Sequence, residues 1–214
     1  MKIGILGTGV VGQALGLGFA RRGDAVTMGS RAPEGDRVRG WLEQAGPGAR
    51  AGTFAEAAAF GEAAVLATLW DGTENALRLA GPGNLEGKVV IDVTNPLDFT
   101  GGAPRLALGH SDSGGERVQR WLPGARVVKA FNIITSAAMV HPDFPGGPPT
   151  MFICGDDAGA KETVAAICAD FGWSDVVDVG GIKGARLLEP LAMLWITHGV
   201  RSGTWSHAFR LLRK

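Results

Sequence analysis

The sequence predicts an α/β protein: a doubly wound parallel sheet of the Rossmann type with a small C-terminal α/β extension. The apolar run Ile3-Gly4-Ile5-Leu6 leads straight into Gly7-Thr8-Gly9-Val10-Val11-Gly12. That order of strand, tight turn and helix start is the one that lays a dinucleotide pyrophosphate on a helix N-terminus. Continuous apolar runs of strand length recur at Ala63 to Thr68 and Lys88 to Val93, with helical spacing between them. Runs buried on both faces and separated by helices imply parallel pairing with right-handed crossovers.

Each element follows from its residues. Gly7 permits the turn, Gly9 lets backbone N–H groups approach phosphates, and Gly12 lets the helix sit close to the sheet. Gln13 to Arg22 continues that helix, with Val11, Leu15 and Phe19 on one face, and Gly23-Asp24 ends it before the second strand, Ala25 to Met28. A helix over Glu34 to Gln44 follows. Thr53 and Glu56 form a capping box for a short third helix, and Thr73 to Leu79 reads as helix up to Gly81-Pro82-Gly83. A glycine-rich loop, Thr100 to Gly115, leads to a short helix around Val118 to Leu122 and a strand at Arg126 to Ala130.

The proline- and glycine-rich segment from His141 to Pro149 cannot hold a regular element. It divides a nucleotide-binding domain, residues 1–141, from a smaller part, 142–214, that completes the substrate cleft. In that part Thr150 to Cys154 and Val176 to Val179 read as strands, Ala158 to Phe171 as helix, and Arg186 onward as a long helix bent near Pro190. Asp156-Asp157 reads as a turn and helix cap. Trp195, Trp205 and Phe209 are more aromatic surface than a short tail needs, so a homodimer is expected.

Composition excludes several classes of function. With 21 basic and 21 acidic residues, the chain carries no field that would attract nucleic acid or an anionic membrane. Its two cysteines, Cys154 and Cys168, make no disulfide framework and read as inert packing residues of a reducing compartment. The first strand begins at Met1-Lys2-Ile3, leaving no room for a leader, and the apolar stretch Leu187 to Val200 is too short to span a bilayer. A cytoplasmic location is expected.

The end of the second strand bears on the cofactor. Folds of this kind that use NAD place an acid about 20 residues beyond the glycines, to hold the ribose 2′-hydroxyl. Between Asp24 and Glu34 there is no acid, and Gly29-Ser30-Arg31 stands there instead. A guanidinium and a hydroxyl suit a 2′-phosphate, so the cofactor is read as NADP(H). The competing reading has Ser30 capping the next helix and Arg31 in solvent.

Ligands of such sheets lie beyond the carboxyl ends of the strands. Leu69-Trp70-Asp71, Thr94-Asn95-Pro96-Leu97 and Phe131-Asn132-Ile133-Ile134 all arrive there and should wall the nicotinamide. Their side chains are mostly apolar or neutral. No paired carboxylates, metal-ligand spacing or nucleophile with a base is present, so no catalytic residue and no metal ligand is assigned. Lys129 is expected to cross the sheet end to a backbone carbonyl or to Asp92 rather than to give a proton. His141, His198 and His207 each stand alone and read as surface or packing residues. Such a pocket suits hydride transfer between two flat conjugated rings, where the protein mainly positions them.

The sequence resembles the coenzyme F420-dependent NADP oxidoreductases over nearly its whole length, and more distantly the oxidoreductase domain of the STEAP metalloreductases. The resemblance rests on Gly7-Thr8-Gly9 through Gly12, Gly29-Ser30-Arg31, Trp70, Val128-Lys129-Ala130-Phe131-Asn132, Cys154-Gly155-Asp156-Asp157, and Gly180 through Arg186-Leu187-Leu188-Glu189. It implies that Thr8, Ser30 and Arg31 bind the adenosine side of NADP(H). It further implies that the loops at Leu69-Trp70, Asn95-Pro96 and Asn132-Ile133 set two rings face to face, with Trp70, Asn132, Ile133 and Arg186 against the second partner. That partner is expected to be F420. A flavin or a small carbonyl or imine compound is the alternative, and a non-catalytic NADP(H)-binding redox sensor is a third reading.

Overall fold

Strands buried on both sides need residues that feed two cores by turns, and the register of this sheet does so. The computed structural model describes residues 1–214. In chain order it contains β1 (Lys2–Leu6), α1 (Val10–Arg21), β2 (Ala25–Gly29), α2 (Asp36–Ala45), β3 (Ala49–Gly52), α3 (Phe54–Phe60), β4 (Ala63–Leu66) and α4 (Trp70–Ala80). Then come β5 (Val89–Asp92), a two-residue hairpin of β6 (Leu97–Asp98) and β7 (Arg105–Leu106), α5 (Gly114–Trp121) and β8 (Arg126–Lys129). The chain continues with β9 (Thr150–Gly155), α6 (Ala158–Asp170), β10 (Asp175–Asp178) and α7 (Ala185–Ser202).

Eight strands form one sheet in the order β10-β9-β8-β5-β4-β1-β2-β3. Only β8 and β9 run antiparallel. Ile3, Ile5, Ala63, Val65, Val89, Ile91 and Val128 face a core shared with α1, α2 and α6. Ala64, Leu66, Val90 and Val127 face the opposite core, against α3, α4, α5 and the start of α7. The doubly wound sheet of the sequence analysis is therefore what folds. Residues 142–214 add β9 and β10 to this sheet and send α7 back across it.

Several boundaries differ for local reasons. Ala49–Gly52 had no strand signal, because Ala-Arg-Ala-Gly holds no β-branched or aromatic residue; pairing with β2 makes it a strand. The Thr53–Glu56 capping box is present, and Asp157 caps α6 by accepting from the Ala160 N–H. The fourth helix starts at Trp70, a turn earlier than its spacing predicts, and α5 begins at Gly114 behind a Ser113 cap. α7 runs without interruption through Pro190. No helix is long and apolar enough to cross a membrane.

Candidate active site

A cleft of about 890 Å³ opens over the C-terminal ends of β1, β2, β4 and β5. Its floor is the glycine turn. Gly7 has φ +131°, and a β-carbon there would lie 2.3 Å from the Ala67 carbonyl oxygen. On Gly12 it would lie 2.2 Å from the Gly7 carbonyl oxygen, so only glycine lets α1 start this close to the turn. Gly9 faces open space instead. No side chain caps α1 and its first turn carries no acid. The free N–H groups and the positive end of the helix dipole are thus left for an anion in the cleft. Thr8, Val10 and Val11 join Gly7 and Gly9 in the lining, while Gly12 is buried behind them.

At one end of the cleft lie Ser30 and Arg31, directly after β2. The Ser30 hydroxyl accepts from the Ala32 N–H at 3.0 Å, and α2 is capped by Gly35 without a side chain. Ser30 is therefore not the cap of α2, which removes that part of the competing reading. Arg31 is exposed and makes no ion pair. Arg37, in the first turn of α2, also lines this end without a carboxylate partner; its helix N-terminal position gave no signal in the sequence. Asp36 lies here too, ion-paired to Arg39.

The other end is mostly apolar, with the exposed Asp71 its one acid. Leu69 is 80% exposed and Phe99 57%, so both hold hydrocarbon over the cleft. The Thr73 hydroxyl donates to the Leu69 carbonyl at 3.0 Å and lies 2.9 Å from the Thr68 hydroxyl, which fixes that loop. Trp70 lines the cleft and packs on Trp121, with centroids 5.6 Å apart. Asn95 lines it as well, and its amide donates to the Asn132 carbonyl at 2.8 Å.

Four residues expected at this end stand outside the lining. Asn132 lies behind Asn95, donating to the Asn95 side-chain oxygen at 3.0 Å, and follows Phe131, which takes the left-handed value φ +58°. The Pro96 carbonyl accepts from the Ala107 N–H, and Ile133 packs against the core. The Arg186 guanidinium makes two bonds to Glu116, at 2.7 and 2.6 Å, and this pairing holds the Glu116 carboxyl below its usual range.

Lys129 is fully buried and does not reach the cleft. Its ammonium donates to the Thr94 carbonyl at 2.7 Å and lies 2.8 Å from Asp92 and 3.2 Å from Glu189. The bond to a carbonyl and the pair with Asp92 match expectation; Glu189, from distant α7, was a mark of the resemblance, but nothing in the sequence paired it with Lys129. Burial pulls the Lys129 pKa down, but the two carboxylates outweigh it and push it up to about 12. No group of three or more His, Cys, Asp or Glu side chains is disposed to hold a metal. Such a cleft can bind, orient and exclude water, and it supplies no acid–base pair.

Residues 2–96 match the family described as NADP oxidoreductase, coenzyme F420-dependent. The F420-dependent NADP reductase of Methanothermobacter marburgensis is 30% identical over 212 residues, 94% of this chain and 94% of that protein. The chain belongs to the coenzyme F420-dependent NADP oxidoreductase family. A solved structure from Arthrobacter sp. FB24, provisionally named an F420-dependent NADP reductase, is 39% identical to this family member, with TM-score 0.94 and full coverage of both chains. The metalloreductase STEAP3 of Rattus norvegicus is 32% identical over 195 residues, 90% of this oxidoreductase and 37% of STEAP3. A reductive aminase from Aspergillus terreus, solved with NADPH, has the same fold at TM-score 0.68 and 22% identity; the family member covers 63% of it.

Proposed function

We propose that this oxidoreductase binds NADP(H) along the cleft and passes hydride between it and coenzyme F420. The observation that carries the reading is the pair Ser30-Arg31 at the end of β2, joined by Arg37 and free of carboxylate partners apart from an already paired Asp36. The cleft also fits the pyrophosphate, because the uncapped start of α1 faces it and Gly9 leaves the approach open.

In this reading the first-turn N–H groups of α1 hold the pyrophosphate, and Thr8 helps to orient it. Arg31 and Arg37 bind the 2′-phosphate with the Ser30 hydroxyl. Leu69, Trp70, Asn95 and Phe99 hold the two rings against each other and keep water out. When bound, the nicotinamide supplies or takes up the hydride. The one acid at the ring end, Asp71, is solvent-exposed, so no buried acid stands ready to protonate a carbonyl or imine compound, which favours a conjugated ring that takes its proton from solvent. Trp195 is buried against Trp205 and His207 and so is not the free aromatic surface expected of the tail. The exposed Leu187 and Leu194 on α7 are instead the surface we assign to a homodimer.

Mixing the protein with NADPH and oxidised F420 tests the reading: the visible absorbance of F420 should fall in step with NADPH. Reduction of FAD or FMN alone would move the second partner to a flavin. Tight NADPH binding with no turnover of any acceptor would overturn an enzymatic role.

A further inference from the structure

Every polar group of Thr94, a residue of the cleft wall, is held from behind. Its N–H and hydroxyl both donate to Asp92 Oδ1, at 2.9 and 2.7 Å, and its carbonyl accepts from Lys129 at 2.7 Å. Lys129 has three N–H bonds to give, and Thr94, Asp92 and Glu189 are within reach of all three. Glu189 in turn accepts from the Gly114 and Gly115 N–H groups at the start of α5, each at 2.9 Å. That approach requires the glycine pair: a β-carbon on Gly114 would lie 3.0 Å from Glu189 Oε1, and one on Gly115 would lie 3.1 Å from Lys129 Cε. The network carries two carboxylates and one ammonium, and the N–H groups of α5 offset the remaining negative charge.

The next cleft residue is held from the same helix. The carbonyl of Leu188, which precedes Glu189 in α7, accepts from the Asn132 amide at 3.2 Å, and Asn132 exchanges bonds with Asn95. Consecutive residues of α7 thus brace consecutive residues of the cleft wall, one through Lys129 and the other through Asn132. Simple stability does not need this arrangement, because well-packed apolar side chains serve buried space at least as well as ions.

We infer that Lys129, with Asp92 and Glu189, is a positioning residue: the buried network ties α7 to Thr94-Asn95 and sets the wall against which the nicotinamide ring lies. The inference rests on the NADP(H) reading above. Misplacing a reacting ring by about 1 Å costs up to about a hundredfold in rate, so loosening this wall acts on turnover and on the ring's surroundings. It leaves the adenosine end alone.

The test uses the double variant Asp92→Asn/Lys129→Met, which removes one charge of each sign, and reads two binding signals and F420 turnover on the whole chain. Binding of 2′,5′-ADP reports the adenosine end, and the fluorescence of bound NADPH reports the surroundings of its nicotinamide. The expected result is 2′,5′-ADP affinity within about twofold of wild type, loss of most of the fluorescence enhancement, and F420 reduction with kcat lowered about ten- to a hundredfold at little-changed KM for NADPH. Unchanged NADPH fluorescence in a folded variant overturns the inference.

Thr94→Val and Thr94→Ser keep the question answerable if the double variant does not fold. The first removes only the hydroxyl bond to Asp92 and should lower kcat, while the second keeps that bond and should restore it; equal behaviour of the two overturns the inference. Failure of the wild-type protein to bind NADPH overturns the NADP(H) reading and this inference together. Binding by the wild type with no change in the variants overturns the inference alone.

Discussion

A β-carbon on Gly12 would stand 2.2 Å from the carbonyl oxygen of Gly7, and the atom it meets is backbone that cannot turn aside. Gly12→Ala therefore pushes α1 away from the turn. The expected cost is about 1–3 kcal/mol in chemical denaturation, the usual range for forced overpacking, together with a weaker hold on NADP(H). Gly9→Ala is the informative contrast. Nothing lies within 4 Å of that β-carbon, so the protein should keep its stability while the methyl stands where a phosphate has to approach. Titration calorimetry beside urea melts separates the two, and a Gly9→Ala protein that binds NADP(H) like wild type would move the pyrophosphate off the glycine turn.

Arg31 is exposed at the end of β2, in the same end of the cleft as Arg37. A charge-assisted bond from Arg31 to a 2′-phosphate is worth about 2 kcal/mol, so Arg31→Ala should weaken NADP⁺ binding about thirtyfold. NAD⁺ binding should hardly change. Arg37→Ala should show the same preference more weakly, and raised salt should reduce the gap between the cofactors in wild type. Equal loss for both dinucleotides would assign Arg31 to the general electrostatics of the cleft.

Features written in neighbouring residues were legible without a structure. The turn at Gly7 to Gly12, the Thr53–Glu56 cap, the missing acid before Ser30-Arg31 and the Asp157 cap each lie within one turn or strand end, where local sterics and hydrogen bonding decide. What stayed hidden depends on contacts across the chain. Glu189 meets the Gly114 N–H across 75 positions and Leu188 meets Asn132 across 56, and no spacing rule links such residues. Arg186 shows the same limit: the resemblance implied a ligand contact for it, but Glu116, 70 positions away, engages it first. β3 failed for a different reason, since Ala49–Gly52 becomes a strand only by pairing with β2.

Acid and alkali should act on different parts of the molecule. Asp112 is partly buried, which raises its pKa, yet bonds from Arg120 and Arg117 outweigh this and bring it from 3.8 to about 2. A lowered folded-state value means that the stabilisation is full above pH 3.8 and is lost as pH falls through about 2. Asp112→Asn should flatten the acid limb of stability between those values. Lys129 is the opposite case: its raised value means a contribution that is full below 10.5 and is lost only as pH rises through about 12. Lys129 should accordingly leave no inflection in the pH dependence of kcat between about pH 6 and 9, the range in which a general acid of this reaction would show itself. An inflection there that Lys129→Met abolishes would make Lys129 a proton donor.

Burial raises both thiols to about 12, and at Cys154 the nearby Lys129 charge only partly opposes it. The thiolate is the reactive form, so neither cysteine should react with a disulfide reagent in the native protein at neutral pH, and both should react in urea. Cys154 carries the sharper expectation. Its Cβ would lie 2.9 Å from a β-carbon on Gly184, and its Sγ stands 3.9 Å from the Ile182 carbonyl, so no adduct fits beside it. Labelling of Cys154 then requires β9 to part from the turn at Ile182–Gly184 that starts α7. In Cys168→Ala, where Cys154 is the remaining thiol, the labelling rate should fall when NADP(H) is bound, because α7 and the cleft wall are linked through Glu189 and Lys129. A rate indifferent to the dinucleotide would mean that this opening leaves the wall in place.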